Sequence, residues 1–147
     1  MFNQDLALKE FIELLNDNRV RYLIVGGYAV ALYGYPRYTK DLDVWVECSE
    51  NNAKSLINAL DQFGMGTLGL VKEDFLVQDQ VVQLGYPPNR IDLILSISGV
   101  DFQACYPKRK EIFIDELKID FIDLENLKRN KKASGRSQDI ADLENLG

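Results

Sequence analysis

Asp41, Leu42 and Asp43 set two carboxylates two residues apart in an otherwise apolar run that ends at Val46. In an extended strand successive side chains alternate between faces, so both acids share a side with Trp45, their backbones roughly 7 Å apart. Carboxylates at that spacing suit a pair of divalent cations. Two ions about 3.5–4 Å apart serve phosphoryl and nucleotidyl transfer, one activating the attacking oxygen and the other neutralising departing pyrophosphate. A third acid from a neighbouring strand would complete such a site, and Asp92, a lone acid at the start of an apolar run, has the right character. Upstream, Gly26-Gly27 follows Val25 between an expected strand and an expected helix. Amides at a helix start point outward there, and a missing Cβ lets a phosphate approach the backbone. Arg37 and Thr39 precede the acids and can reach phosphate oxygens, the arginine through its fork of donors. Each feature has a plainer reading: solvated strand-edge acids, an ordinary glycine turn, an arginine that only pairs with an acid. Tyr28, Tyr33, Tyr35 and Tyr38 offer either a stacking surface for a base or simple packing.

Composition narrows the chemistry. The chain has no histidine, which removes serine/histidine triads and histidine-bound zinc. Carboxylates, lysines, arginines and tyrosines remain, with oxygen ligands that favour magnesium, manganese or calcium. A net charge of −6 argues against broad nonspecific nucleic-acid binding, which needs a field of cations. A local basic patch is still allowed. Lys128, Arg129, Lys131, Lys132 and Arg136 crowd one segment, either to contact phosphate or as a solvated helix face balancing Asp123 and Glu125.

The positioning elements follow from periodicity. The length of 147 residues suits one domain spanning 1–147. Apolar residues at three and four spacings predict a helix over 5–18, and 21–25 reads as a buried strand. A short helix is expected over 28–33 after the glycine turn, a strand from Asp41, and a helix capped by Ser49 and closed by Gly64. Strands are expected over 67–71, 80–84, 90–95, 111–114 and 118–121, with a turn over 85–89. Short helical structure over 101–106, a helix from Asp123 to about Ala133 broken at Gly135, and a helix over 137–146 complete the chain. The fold class is therefore α/β (α+β), a small mixed sheet flanked by helices. The longest uncharged stretch, Tyr22 to Tyr35, is too short for the roughly 20 residues of a membrane helix. With no secretory leader discernible, the expected location is cytoplasmic, with Cys48 and Cys105 reduced rather than bridged.

Taken together, Gly26-Gly27, Arg37, Thr39, Asp41-Leu42-Asp43 and Asp92 resemble the motif set of the polymerase-beta-type nucleotidyltransferase superfamily, and from Tyr22 onward the chain is most similar to small stand-alone bacterial and archaeal members related to the abortive-infection toxin type. The closing segment, with Lys131, Gly135-Arg136, Asp139 and Asp142, strengthens that likeness. The resemblance implies a nucleotidyltransferase-like fold and transfer of a nucleoside monophosphate from a triphosphate to an acceptor hydroxyl. It implies that Asp41, Asp43 and Asp92 bind Mg2+ or Mn2+ and are catalytic, with Asp92 helping to deprotonate the acceptor. It assigns the triphosphate to Gly26, Gly27, Arg37, Thr39, Arg136 and Lys131, with Lys132 as the alternative lysine, and has Asp139 orienting either the lysine or Arg136. Two departures stand out: relatives often have serine where this chain has Gly27, and no sizeable second domain for an acceptor is apparent. The acceptor is thus open between an RNA end, a protein hydroxyl and a small molecule. A noncatalytic nucleotide- or partner-binding module, half of a toxin/antitoxin pair, and a phosphohydrolase using the same acids are the rival readings.

Overall fold

The computed structural model of the chain describes residues 6–34, 41–85 and 90–147. Its centre is a six-stranded mixed sheet, with β1 Tyr22–Val25, β2 Asp41–Val46, β3 Val81–Leu84, β4 Arg90–Ile94, β5 Lys110–Ile114 and β6 Leu117–Phe121 in the spatial order β3-β4-β2-β1-β6-β5. The pairs β2/β4 and β1/β6 are parallel, whereas β1/β2, β3/β4 and β5/β6 are antiparallel. The expected mixed sheet is thus present, with β2 and β1 at its middle.

Both sheet faces are covered. Helix α1, Leu6–Asp17, carries Leu8, Phe11, Ile12 and Leu15 at helical spacing, and all four are buried. Its Asn16 accepts a hydrogen bond from the Tyr22 hydroxyl at 2.9 Å, which locates α1 on the Tyr22 and Ile24 side of β1. Register sets Val46 and Val44 opposite those two residues, so the buried Leu42, Val44 and Val46 of β2 face this side as well. Helix α3, Glu50–Gln62, packs beside α1. Its Ser49 cap accepts the Asn52 amide, a bond worth about 1 kcal/mol.

The opposite face, bearing Asp41, Asp43 and Trp45, meets α4 Phe102–Cys105 at Trp45 and α5 Leu124–Ser134 beside Asp43, with α6 Ser137–Leu146 packed on α5 and α2 Gly26–Leu32 against β1 and β2. Trp45 is buried there, its ring edge-on to Phe102 at 5.1 Å. Among the described residues no helix is long and apolar enough to cross a membrane.

Two local expectations are corrected. Residues 67–71 form no strand: Gly66–Leu68 is a single 3-10 turn stopped by Gly69 at φ 74°. The apolar, β-branched composition favoured extension, but a residue in the left-handed region ends any ladder. The glycine pair does not precede α2 as a turn; Gly26 is its first residue. Part of the turn expected over 85–89 lies outside the described residues.

Candidate active site

Strand register builds the acidic centre. On paired strands β2 and β4, Asp43 stands opposite Asp92 and Asp41 opposite Arg90. Alternation leaves all four on one face, a two-by-two block of three acids and one base. The Asp43 carboxyl is pushed up to about 7, first by burial, then by the negative charges of Asp92 and Asp41 and least by hydrogen bonding with Asp92, against the pull of Lys131. Arg90 donates to Asp92 at 2.9 and 3.2 Å and to Asp41 at 2.9 Å. Its guanidinium therefore spans its strand neighbour and its cross-strand neighbour.

Gly26 meets this block directly. It adjoins Val25, the register partner of Asp43, and takes φ 67°, a conformation that favours glycine. A Cβ built on it would lie 2.1 Å from Asp43 Oδ2. The bare α-carbon is thus first of all room for the catalytic candidate Asp43.

A cleft of about 360 Å³ opens beside these residues, lined by Val25, Gly26, Asp43, Ile94, Ile97, Ser98, Asn130, Lys131, Ser134 and Arg136. Its far wall is α5. Asn130 donates to the Ser98 carbonyl at 3.0 Å, and Gly99, at φ 80°, packs so tightly on α5 that a Cβ would lie 2.4 Å from Ala133. Those two contacts fix the 97–100 turn against the helix.

Lys131 projects into the fold with its side chain only 5 % exposed. Burying an ammonium is costly unless it is paired, and Lys131 Nζ lies 3.1 Å from Asp139 Oδ1 and 3.2 Å from Asp142 Oδ2. Asp139 Oδ2 also accepts from Arg136 Nε at 2.8 Å and from the Arg136 amide. Although burial raises the Asp139 carboxyl, the hydrogen bonds from Arg136 and Lys131 outweigh it and hold the group below its ordinary value.

Of the residues singled out from sequence, Gly26, Asp43, Lys131 and Arg136 meet at the cleft, and Asp41 and Asp92 adjoin it through the strand block. Gly27 is buried and does not line the cleft. Asp139 is buried behind it, where it positions Lys131 and Arg136 instead of facing a ligand. Arg37 and Thr39 lie outside the described residues. Lys131 lines the cleft, whereas Lys132 is exposed. The tyrosine pattern resolves toward packing: Tyr28 is buried, and the Tyr33 hydroxyl donates to the Ile122 carbonyl at 2.6 Å. Tyr35 and Tyr38 lie outside the described residues.

Sequence reasoning passed over Arg90, Asn130, Ser98 and Ser134. For Arg90 the signal was present, a base two residues before Asp92 on the same strand face. For the others it was absent, because they belong to a turn and a helix brought together only by packing.

The donor set suits a hard divalent cation: oxygen ligands only, with Asp43 and Asp92 in contact and carrying excess negative charge. The three acids nevertheless do not converge on one point. Among the described residues no group of three carboxylates or thiols stands close enough to hold an ion as placed, and Asp41 is drawn to Arg90.

Comparison with known proteins bears on the family and the fold. Residues 6–147 match a family model described as "Nucleotidyltransferase of unknown function (DUF6036)". The fold is similar to that of a candidate nucleotidyltransferase from Thermotoga maritima, with TM-score 0.60 and 16% identity over 94% of this chain and 88% of the other. It is also similar to an antigenic nucleotidyltransferase-like protein from Paracoccidioides brasiliensis, with TM-score 0.53 and 21% identity over 94% of this chain and 72% of the other. No curated protein matches significantly. Neither the family description nor these structures bears on the narrower likeness to abortive-infection toxins.

Proposed function

Because the chain belongs to this nucleotidyltransferase family, we propose that it is an enzyme that moves a nucleoside monophosphate from a nucleoside triphosphate to an acceptor hydroxyl, with release of pyrophosphate. The observation that carries the reading is the meeting of Asp43 and Asp92 at a cleft also lined by Gly26, Lys131 and Arg136. In this reading Lys131 and Arg136 bind the triphosphate, and Gly26 keeps Asp43 in its place at the cleft. Lys131 enters that role already fixed by Asp139 and Asp142, so little reorganisation is needed when charge builds on the leaving group. Asp92 takes the acceptor proton as the acceptor oxygen bonds to the α-phosphorus and the bond to the bridging oxygen breaks. Magnesium or manganese, which Asp43 and Asp92 would hold and Asp41 would join on leaving Arg90, would supply charge neutralisation and an activated attacking oxygen. Catalysis is otherwise positioning. A cytoplasmic setting fits, since triphosphates and magnesium are abundant there and Cys48 and Cys105 are both free.

The test is incubation with α-labelled triphosphates, magnesium and a cell extract, followed by identification of what becomes labelled: an RNA end, a protein or a small alcohol. Label transfer with pyrophosphate release supports the proposal, and its persistence in Asp43→Asn and Asp92→Asn refutes it. One observation favours a second reading, a noncatalytic nucleotide-binding or partner-binding module such as half of a toxin/antitoxin pair: Arg90 already neutralises part of the acidic block. Calorimetric binding of a triphosphate without turnover, across a broad set of acceptors, would select that reading.

A further inference from the structure

Arg90 stands among the carboxylates proposed to hold the ion. Its position is imposed by the strands: residue i on β4 shares a face with residue i+2, Asp92, and lies opposite Asp41 on β2. From there Nε and Nη2 reach both oxygens of Asp92, and Nη2 also reaches Asp41 Oδ2 at 2.9 Å. A planar fork of donors is well shaped to join two carboxylates in this way, and such charge-assisted bonds are among the stronger polar contacts in proteins. The cluster is also partly shielded from water, the side chains of Arg90 and Asp92 being 29 % and 11 % exposed. The same oxygens are those a divalent cation would need.

We propose that Arg90 is a resident counter-cation of the acidic block that competes with a divalent ion for Asp41 and Asp92, so that metal alone binds poorly while the carboxylates stay in place. The inference rests on the transfer reading for its biological sense, yet it concerns cation binding, which is measured without any reaction. While Arg90 bridges the two acids, an incoming ion must displace its hydrogen bonds as well as shed water. An ion that arrives chelated to a triphosphate brings additional contacts to Lys131 and Arg136 and meets that cost more easily.

The experiment is titration of Mn2+ alone into the metal-free protein, with free Mn2+ read by electron paramagnetic resonance, for the parent chain, Arg90→Gln and Arg90→Lys. Competition predicts that Arg90→Gln binds Mn2+ about tenfold or more tightly than the parent. Arg90→Lys, which keeps the charge but loses the fork, should fall between them. Adding Asp92→Asn to Arg90→Gln should remove the gain. Equal or weaker binding in a folded Arg90→Gln overturns the proposal, as does a gain that survives Asp92→Asn, or a failure of every variant to bind Mn2+. If Arg90→Gln does not fold, as judged by circular dichroism, Arg90→Lys decides alone: tighter binding than the parent supports competition and equal or weaker binding refutes it. Should the Mn2+ shift appear while no variant releases pyrophosphate, the transfer reading fails and this inference stands.

Discussion

Two acidic clusters lie on the same side of the sheet, and their charge balance differs. On the strands, Asp41, Asp43 and Asp92 face one base, Arg90, and the Asp43 carboxyl is pushed up to about 7 by burial and its acidic neighbours. On the helices, Asp139 and Asp142 face two bases, Lys131 and Arg136, and Asp139 is held below its ordinary value. The carboxylates of both clusters are buried or half-buried, so the difference is one of compensation. The helix cluster is balanced as it stands, its two acids holding Lys131 and Arg136 in place. The strand cluster is short of positive charge, the condition that the proposed cation site requires.

That contrast breaks most visibly at Asp43. Asp43→Asn should lower pyrophosphate release by ~10³-fold or more while leaving the melting temperature equal or higher, since a repelled acid is removed; a large loss of stability would show the strand cluster to be structural. Lys131→Met should lower stability as well as transfer, since the ammonium pairs two buried acids and also lines the cleft. Leaving two buried carboxylates without their cation is expected to cost about 3–5 kcal/mol in urea unfolding, and an unaltered midpoint would deny that the helix cluster is structural.

Gly26→Ala probes the join between the clusters. A methyl group driven against Asp43, at a backbone angle alanine disfavours, should cost about 1–3 kcal/mol and reduce transfer as Asp43 is displaced; parent-like behaviour in both assays would show that the contact relaxes freely. The pH dependence then sharpens the charge argument. Because the folded-state value of Asp43 is raised from 3.8 to about 7, the folded state holds more protons than the unfolded state between those values. Its stabilising contribution is therefore full below about pH 4 and lost as pH rises through 7. Metal-free protein should melt at progressively lower temperature over that window, Asp43→Asn should flatten the trend, and magnesium should offset it above pH 7. Thermal melts with and without magnesium decide this. The smallest effect is expected of Arg136→Ala, whose side chain is 78 % exposed: under about 1 kcal/mol in stability, with about a tenfold rise in KM for the triphosphate if Arg136 contacts phosphate.

How much of this was legible in the sequence depends on how local the cause is. The shared face of Asp41, Asp43 and Trp45 follows from the two-residue period of a strand, and the Ser49 cap and the Gly135 break follow from residues adjacent to the ends they make. The pairing of Asp43 with Asp92 was only a matter of character, since a parallel register between strands 49 residues apart in sequence is decided by the packing of everything between them. Arg90 shows the limit well. Its place beside Asp92 could be read from the strand pattern, but its bond to Asp41 needs the register. The error over 67–71 has the opposite origin: extended-chain preferences in Leu68 and Val71 were outweighed by Gly66 and Gly69, which let the chain turn. Asn130 and Ser98 carry no local mark of their contact, which exists because Gly99 allows the turn to lie on α5.

The dependence of Lys131 on α6 also sets an order of assembly during translation. Every strand, and α5 with Lys131 itself, leaves the ribosome before Asp139 and Asp142 do. A nascent chain extended only to Gly135 would carry its acidic strands beside an unanchored lysine, and competence would come with the synthesis of one further helix.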